Sequence, residues 1–480
     1  MVVNEGQIGE AVRRDNPWWR GSNWDEEDRD LRNVKASGIS YDPCPLTDLA
    51  VDGLYLLYGP RRVGKTVSVK RAIETLLARG VQPLQIIRVT VDGWTASRLE
   101  MLYDHVVRVQ TSSIRDATRY WFIDEITACK GEWWSVIKNL RDNTAFGSDC
   151  VVLTGSSNAG LDEAIKAFAG RRGSATSPDR VLLPMNFLAF CSCLGIDLPS
   201  VQGVRADELR SSESRDLWLS LIPYTEDLVG AWASYLQAGG YPQAVADWRR
   251  ANAVSATTIQ AVWDVVRGDA LTTGMSEADL GSVLDGMATR LASLVNMSDF
   301  ARAAGIGIGP LDTRVHSLVS AFLAWHCPRA DGSGAPDSRK QGKIYFLDPL
   351  VAQLPHLVHG RASIDITRMS EQQLGVALLE WNETVRPGSA RSAQWVTHHR
   401  GSKSNEIDFA GRCADTLARA VPVEGKYVSG GWRQEALAIA NSVLGEGILA
   451  TRDITDVTIG EPVWAVPAPF VALALNSYQR

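Results

Sequence analysis

The stretch GPRRVGKT at residues 59–66 constrains the fold more than any other part of this chain. It matches the pattern GxxxxGK[ST], and it lies between an apolar run, GLYLLYG, and a helical pattern, VSVKRAIETLLARG. Gly59 and Gly64 allow the loop to curl so that its backbone N–H groups point at a phosphate. Because such a loop joins a strand to a helix, the stretch predicts an α/β fold with a parallel sheet and a phosphate site.

The loop also indicates which phosphate is bound. Lys65 would reach the β and γ oxygens of a nucleoside triphosphate, and the Thr66 hydroxyl would ligate Mg²⁺. The sequence therefore predicts ATP and Mg²⁺ as cofactors, with an accidental glycine-rich turn as the alternative. The residues predicted to contact the nucleotide are Gly59, Pro60, Arg61, Arg62, Val63, Gly64, Lys65, Thr66 and Val67.

Two adjacent carboxylates follow an apolar run in YWFIDEI. Asp124 would lie at the carboxyl end of a strand beside the loop, where it can hold Mg²⁺ through water. Glu125 would orient and deprotonate the attacking water. An Asp-Glu pair is often a solvated turn, but its position after a buried strand favours a catalytic role. We therefore expect ATP hydrolysis.

Two further groups of polar residues are candidates for the same site. Ser157 and Asn158 end the run CVVLTGSSN, where they would contact the γ-phosphate or the water; a plain turn is the alternative. Arg171 and Arg172 follow in AFAGRRG, and one of them would neutralise transition-state charge, commonly on a neighbouring subunit's nucleotide. A solvated arginine pair is the competing interpretation.

Length and composition narrow the remaining choices. A chain of 480 residues is too long for one hydrophobic core and predicts about three folding units. The net charge of -6 argues against a protein that coats nucleic acid, so a DNA contact has to come from a local patch. No apolar run is long enough to span a membrane, and the seven cysteines include no CxxC pair. We expect a cytoplasmic protein with reduced, mostly buried thiols.

Beyond about residue 200 the pattern changes three times. Residues 201–265 are helical in pattern around a Gly-Gly-Tyr-Pro break, which is typical of a lid or connector. Residues 266–350 contain a helix-turn-helix pattern, in which Arg302 and Arg314 are candidate DNA contacts, followed by a hairpin that would form a wing. Residues 351–480 contain an amphipathic helix and then alternate strands and helices.

The order of the motifs resembles that of bacterial and archaeal AAA-type ATPases with a C-terminal PD-(D/E)xK nuclease-like domain of unknown function. The resemblance covers most of the chain and rests on NPWW, GPRRVGKT, FIDEI, LTGSS, GRR with LLPMNFLAF, YLQAGGYPQAV, KIYFLDP, EIDF and PVEGK. It implies an AAA-type ATPase domain at 1–200, a helical lid at 201–265, a winged-helix-like domain at 266–350 and a restriction-endonuclease-like α/β domain at 351–480.

The resemblance also implies a second, metal-dependent site. Glu380 on the helix, Asp408 in NEIDF and Glu424 in VEGK would bind Mg²⁺, with Lys426 steadying the hydroxide or the developing charge. The helix spacing leaves Glu383 as an alternative carboxylate. Gly425, where the family has an aliphatic residue, is expected to weaken the strand. A binding platform without cleavage, or ordinary surface charge, are the alternatives to a nuclease.

These features predict a DNA-binding ATPase that remodels or translocates on DNA, including branched or broken DNA. Two other functions remain open on sequence grounds. One is a nucleotide-gated switch or defence protein, and the other is an ATPase that acts on a protein partner. We expect self-association into a ring or another homo-oligomer, and no membrane partner.

Overall fold

The computed structural model describes the chain except for residues 1–4, 22, 44, 110–116, 158–159, 273, 338, 402–405 and 480. The described residues form two compact units, Met1–Leu182 and Leu183–Arg480. The first unit ends before the predicted boundary at residue 200, because the residues after Leu182 make their contacts within the second unit. The predicted division of the remainder into a lid and two further domains stays a prediction.

The first unit is built on a parallel sheet with the strand order β2-β3-β4-β1-β5. Strands β1 and β4 are buried along their whole length, which explains why their sequences are continuously apolar. The apolar runs GLYLLYG, QIIRVTVDG, YWFID and CVVLTGSS each predict a strand that is present, and the short edge strand β5 is the addition. The strands are β1 Leu54–Tyr58, β2 Ile86–Thr90, β3 Tyr120–Asp124, β4 Cys150–Gly155 and β5 Asp179–Val181.

Helices connect and flank these strands, as the α/β prediction requires. The helix after the phosphate loop begins at Lys65 and contributes a face of buried residues to the core. The helices of this unit are α1 Glu5–Asp15, α2 Trp24–Glu27, α3 Arg29–Ser37, α4 Lys65–Ala78, α5 Ala96–Val109, α6 Trp133–Asn143 and α7 Leu161–Ala167.

The edge strand β2 is covered by side chains of the N-terminal segment rather than by another strand. Asn16 accepts a hydrogen bond from the backbone N–H of Arg88 and donates one to the carbonyl of Arg88, both at 2.7 Å. Asp15 accepts from the N–H of Thr90 at 2.9 Å. Side chains thus satisfy backbone groups that an exposed edge would offer to another chain.

The two tryptophans of NPWW extend the same cover. Trp18 and Trp19 both donate from their indole N–H to the carbonyl of Ile86, at 3.1 and 2.9 Å. Trp18 is buried and packs edge-on against Trp24, with 5.0 Å between ring centroids. The motif therefore fixes the edge of the sheet.

The second unit begins with a helical region and contains most of the helices. They are α8 Phe187–Leu194, α9 Ser212–Leu221, α10 Thr225–Ala238, α11 Pro242–Ala251, α12 Ala256–Thr272, α13 Glu277–Thr289, α14 Met297–Ala304, α15 Ile308–Ser320, α16 Pro349–His359, α17 Ile366–Val385, α18 Trp432–Ala440 and α19 Ala468–Asn476.

Short strands accompany these helices. The pairs β6–β9, β7–β8 and β10–β11 are antiparallel, whereas β12, β13 and β14 form a parallel sheet. The strands are β6 Ala324–Cys327, β7 Arg329–Ala330, β8 Pro336–Asp337, β9 Lys343–Phe346, β10 His399–Arg400, β11 Glu406–Ile407, β12 Val423–Gly425, β13 Gly447–Thr451 and β14 Val463–Pro467.

A buried carboxylate joins two sequence motifs of this unit. Asp348, in KIYFLDP, accepts from the N–H of Gly240 at 2.7 Å and caps α16 by accepting from the N–H of Leu350 at 2.8 Å. A side chain at Gly239 would meet Asp348 at 2.4 Å, and the φ of Gly239 is +73°. The Gly-Gly-Tyr-Pro break is thus a turn that allows this close approach.

The cysteines and the polarity of the helices bear on two expectations from the sequence. The six cysteines among the described residues are buried and free of disulfides, as predicted. In the same part of the chain, the helices are too short or too polar to cross a bilayer.

Candidate functional site

The phosphate loop connects β1 to α4 and has the positive φ angles that its glycines predict. Gly59, Arg62 and Gly64 all have positive φ, of 140°, 67° and 108°. A side chain at Gly59 would meet the carbonyl oxygen of Leu182 at 1.9 Å, so only glycine fits there. The loop ends at the N-terminus of α4. Backbone N–H groups and the helix dipole favour an anion at this position.

The predicted phosphate-binding lysine lies on this loop. Lys65 is 5% exposed, and its Nζ donates to the carbonyls of Gly59 at 2.8 Å and Pro60 at 2.7 Å. Both acceptors are backbone carbonyls. These two hydrogen bonds position the ammonium at the loop, the place from which a P-loop lysine contacts phosphate oxygens.

Asp124 ends β3 next to the loop and gathers three donors. Thr66 donates to its Oδ2 at 3.1 Å, Arg88 donates to the same oxygen at 2.7 Å, and Thr154 donates to Oδ1. The carboxylate is only 2% exposed. The structure thus brings together the two residues that the sequence predicts as Mg²⁺ ligands, Thr66 and Asp124.

Asp124 is ionised despite its burial. Burial alone would raise the pKa of its carboxyl, but the charge of Arg88 and the hydrogen bonds from Thr154, Arg88 and Thr66 hold the pKa below its usual value. A hydroxyl oxygen beside an ionised carboxylate is a donor set that suits Mg²⁺. The residues present therefore fit the metal that the motif implies.

Glu125 is positioned by the end of the neighbouring strand β4. Its φ of 58° is left-handed, a conformation that non-glycine residues rarely adopt outside functional or strained sites. Its N–H donates to Thr154 at 3.1 Å, and its Oε2 accepts from Ser156 at 3.0 Å. Arg61 of the loop donates to Ser156 at 3.4 Å. These contacts hold the Glu125 carboxylate at the same edge of the sheet as the phosphate loop.

Three residues of this site were not predicted from the sequence: Arg88, Thr154 and Ser156. Thr154 and Ser156 lie in LTGSS, where the sequence directed attention to Ser157 and Asn158 instead. Asn158 lies outside the described residues. The alternation of side chains along β4 could have indicated these residues, because Thr154 and Ser156 share one face of an extended segment and Ser157 lies on the other.

Arg171 and Arg172 lie near the start of β1, at the opposite end of the strand from the phosphate loop. The N–H of Leu54, the first residue of β1, donates to the carbonyl of Arg172 at 3.2 Å. The guanidinium of Arg171 pairs with Asp142 at 2.6 Å, and that of Arg172 pairs with Asp179 at 2.7 Å. The structure therefore does not bring either arginine to the phosphate loop of its own chain.

A second cluster of charged side chains lies inside the unit Leu183–Arg480, around Lys343 on β9. Its Nζ is 3.0 Å from Glu371, 2.8 Å from Glu406 and 2.6 Å from Asp408. The Lys343 side chain is 1% exposed. One buried ammonium thus serves three carboxylates, and the sequence predicted only Asp408 among these four residues.

Three of the four residues predicted for the nuclease-like site do meet at this cluster. Lys426 pairs with Glu424 at 2.9 Å, and Glu424 accepts from the backbone N–H of Asp408 at 2.9 Å. Asp408 in turn accepts from the N–H of Gly425 at 2.9 Å. The motifs EIDF and PVEGK are therefore locked to each other.

The fourth predicted residue is elsewhere, and Glu371 takes its place as the helix carboxylate. Glu380 lies nine positions further along α17, where it is partly buried and accepts from Asn476 at 2.9 Å. Burial raises the pKa of Glu380 to about 8. The alternative, Glu383, accepts two backbone N–H groups of the turn after the helix, at 2.7 and 3.0 Å.

Gly425, which is expected from the sequence to weaken the strand, lies in β12 opposite Ala450. A side chain at this position would lie 3.3 Å from the Cα and Cβ of Glu371. Glycine therefore permits the close approach of α17 to β12 that brings Glu371 to the cluster.

The cluster does not fit the divalent metal that the resemblance implied. Burial and the neighbouring charge of Asp408 raise the pKa values of Glu371 and Glu424, whereas Lys343 outweighs burial and lowers that of Asp408. Within the described ranges, no three His, Cys, Asp or Glu side chains are arranged to hold a metal ion. The ammonium of Lys343 already supplies the positive charge between the carboxylates.

The two arginines predicted to contact DNA differ in availability. Arg314 on α15 pairs with Asp279 at 2.7 Å and is 21% exposed. Arg302 on α14 pairs with Asp299 at 3.2 Å, but its side chain is 80% exposed. An exposed surface ion pair holds a side chain weakly, so Arg302 is the more accessible of the two arginines.

The strand-loop-helix unit, the hydroxyl and carboxylate beside it, and the adjacent Glu125 define a P-loop ATPase. Residues 52–191 match the family model described as an AAA domain, and this protein is an ATPase whose phosphate loop lies in that domain. Residues 230–354 match a second family model, described as a domain of unknown function (DUF8612). No curated protein matches the chain.

Solved structures with a partial likeness include three whose identity to this chain is low. A RuvB variant from Thermotoga maritima is 15% identical, with 57% of this chain and 82% of that chain covered and a TM-score of 0.23. Cdc6p from Pyrobaculum aerophilum is 11% identical, with 63% and 88% covered and a TM-score of 0.24. The ORC2 protein of Aeropyrum pernix is 13% identical, with 65% and 89% covered and a TM-score of 0.22.

Proposed function

We propose that this ATPase couples ATP hydrolysis to work on DNA, with the nucleotide in Met1–Leu182 and the DNA on Leu183–Arg480. The observation that carries the proposal is the element order of residues 277–346. Helices α14 and α15 are separated by Gly305–Gly307, and the antiparallel pair β6–β9 follows. An order of two helices followed by a hairpin supports a winged helix, a common DNA-binding arrangement.

In the nucleotide site, each residue has a role that its contacts support. Thr66 and Asp124 would hold Mg²⁺, which neutralises charge on the β- and γ-phosphates when bound. Lys65 supplies a second positive charge from the loop itself. Arg88 balances the charge of Asp124 from the side of β2.

Water activation falls to Glu125. Its carboxylate accepts a hydrogen bond from Ser156, and its backbone is held by Thr154, so the base is oriented before the substrate arrives. A pre-oriented carboxylate next to the γ-phosphate position accepts the proton of the attacking water.

We further propose that the working form is a homo-oligomer. Within one chain, positive charge at the site comes from Lys65, Arg61 and Arg88. An arginine from a neighbouring subunit would add the positive charge that ATPases of this kind use to stabilise the transition state. Arg171 and Arg172 remain the candidates for that role, since an arginine acting on another subunit need not face its own loop.

The cluster around Lys343 is best interpreted as the rigid core of a binding platform rather than as a nuclease. Lys343 and Lys426 supply two positive charges for its four carboxyl groups, and the raised pKa values of Glu371 and Glu424 favour their neutral forms. A platform of this kind needs fixed geometry and no metal.

The proposal is tested by measuring phosphate release with and without single-stranded, duplex and branched DNA. We expect DNA to raise the rate for the wild type, and Lys65→Ala to abolish both basal and stimulated turnover. A rate that is unaffected by all three DNA forms, in a protein that hydrolyses ATP, would contradict a DNA-directed function. It would favour a nucleotide-gated switch or a protein partner instead.

A further inference from the structure

A pocket of about 250 Å³ lies beside the connection between β6 and β9, within the second unit. Four of the seven residues that line it are basic: Arg329, Arg339, Lys340 and Arg400. Among the described residues, none of those that line it is acidic. A concave site with this concentration of positive charge contrasts with the overall charge of -6.

Backbone hydrogen bonds hold the walls of the pocket together. The N–H of Ala330 donates to the carbonyl of His398 at 2.7 Å, and the N–H of His398 donates to the carbonyl of Pro328 at 3.0 Å. The Nε2 of His398 lies 3.1 Å from the carbonyl oxygen of Gln341. Three separate chain segments are therefore tied to one another, and the basic side chains project from a fixed frame.

The positive charge of the pocket is poorly neutralised by its surroundings. Arg339 pairs with Asp337 at 3.1 Å, but its side chain is 86% exposed, so the pair is weak. Arg329 donates to the carbonyl of Arg400, which carries no charge. Asp337 thus offsets one of the four positive charges, the contact of Arg329 offsets none, and the pocket keeps a net positive charge.

A carboxylate on the adjoining strand is already used. Glu406 lies opposite Arg400 in the β10–β11 pair, but its carboxylate is 2.8 Å from Lys343 of the buried cluster. The cluster therefore takes up a negative charge that could otherwise balance the basic pocket, and the pocket favours an anion from outside. His398 adds no charge at neutral pH, because burial lowers its pKa to about 4.

We propose that this pocket binds a phosphate of a nucleic-acid strand. Arginine forks and a lysine are the groups that bind phosphate oxygens, and Arg339 and Lys340 lie exposed where a long polyanion can pass. Leu294 gives the pocket an apolar wall against which a sugar can pack. Three of the basic residues belong to the connection between β6 and β9, so the inference rests on the proposed function and locates a contact on its wing.

The proposal is tested with Arg339→Ala combined with Lys340→Ala, two exposed residues whose replacement should not affect folding. Arg361→Ala combined with Arg368→Ala is the matched control, since it removes equal charge from exposed positions of the same unit that do not line the pocket. Anisotropy of labelled single-stranded and duplex DNA is measured across a salt series. We expect the pocket variant to bind at least about fivefold more weakly, and its salt slope to fall by about 0.9 for each phosphate that it no longer neutralises.

Arg400→Gln provides a second variant from the opposite wall, and thermal unfolding shows whether each variant is folded. Basal ATP hydrolysis should equal that of the wild type in all of them. Inorganic phosphate and AMP are added as competitors, and we expect neither to displace DNA at concentrations that leave ionic strength unchanged.

The outcomes separate the pocket from the proposed function. Wild-type affinity and salt slope in both pocket variants, with DNA binding otherwise intact, would overturn the pocket while the DNA-directed function stands. Displacement of DNA by free phosphate or AMP would mean that the pocket serves a small phosphorylated ligand. No DNA binding by the wild type would overturn both proposals.

Discussion

Arg88 and Asp124 form an ion pair across the neighbouring strands β2 and β3, with 2.7 Å between Nη2 and Oδ2. Their side chains are 11% and 2% exposed. The backbone of Arg88 is held by Asn16 of the N-terminal segment. The segment that covers the edge of the sheet therefore also fixes the residue that keeps Asp124, the proposed Mg²⁺ ligand, charged.

Arg88→Ala should lower the free energy of unfolding by about 3–5 kcal/mol, because it leaves the buried charge of Asp124 without its main partner. Chemical denaturation in the presence of a chelator measures this change. Mg²⁺ with ATP should recover part of it, since the metal supplies the missing charge. Arg79→Ala, at an exposed position after α4, is the control and should change stability little. Equal stability of the two variants would contradict the role of the pair.

Glu125→Gln should leave nucleotide binding intact and slow hydrolysis by roughly 10² to 10⁴, the usual contribution of a general base. Fluorescent-nucleotide binding and phosphate release measure the two effects separately. Ser156→Ala keeps the base but removes the hydroxyl that orients it, so its rate should lie between those of the wild type and Glu125→Gln. Unchanged turnover in Glu125→Gln would remove that residue from catalysis.

The nucleotide site could be predicted from sequence because most of it is local. The loop and Thr66 are contiguous, and Asp124 follows a run that is apolar on both faces and therefore identifies a buried strand. Arg88 could not be predicted in this way. It lies 36 residues from Asp124, and the order of the strands, which the sequence does not reveal, makes them neighbours.

The cluster of the second unit shows the same limit more clearly. Glu371 and Glu380 lie on one helix whose residues are buried on nearly all sides, so hydrophobic periodicity does not indicate which carboxylate faces β12. Lys343 is separated from Asp408 by 65 residues and lies on a different strand. Only tertiary structure brings Lys343, Glu371 and Asp408 together.

Mixing two inactive variants tests whether Arg171 or Arg172 acts on a neighbouring subunit. Arg171→Ala with Arg172→Ala removes both candidates, and Lys65→Ala removes the nucleotide site. A mixed oligomer should regain some ATPase activity at interfaces that pair an intact site with an intact arginine. A mixed assembly without any recovery would indicate that the pairs with Asp142 and Asp179 are purely structural.

Stability should fall as pH rises through the range set by Glu380. Desolvation raises the pKa of this partly buried carboxyl from its usual value to about 8, so the folded state holds a proton that the unfolded state has released. Between about pH 4.5 and 8, this group should lower the free energy of unfolding by up to about 1.4 kcal/mol for each unit that the pH rises. Glu380→Gln removes the titration, so the difference between variant and wild type should grow with pH. Denaturant unfolding at several pH values measures it, and a constant difference would contradict the shift.

Lys343→Ala should cost about 3–5 kcal/mol of stability, because Glu371, Glu406 and Asp408 would be deprived of the ammonium they share. Lys343→Met, of similar volume, separates the effect of charge from that of packing. Lys426→Ala is the comparison, and it should cost less because its side chain is 35% exposed and, among the described residues, forms an ion pair with Glu424 only. If Lys343 takes the place of a cation, Mg²⁺ or Mn²⁺ should raise the melting temperature of Lys343→Ala and leave that of Lys426→Ala unchanged. Equal destabilisation in the two alanine variants, with no effect of metal, would mean that protons rather than Lys343 neutralise the cluster.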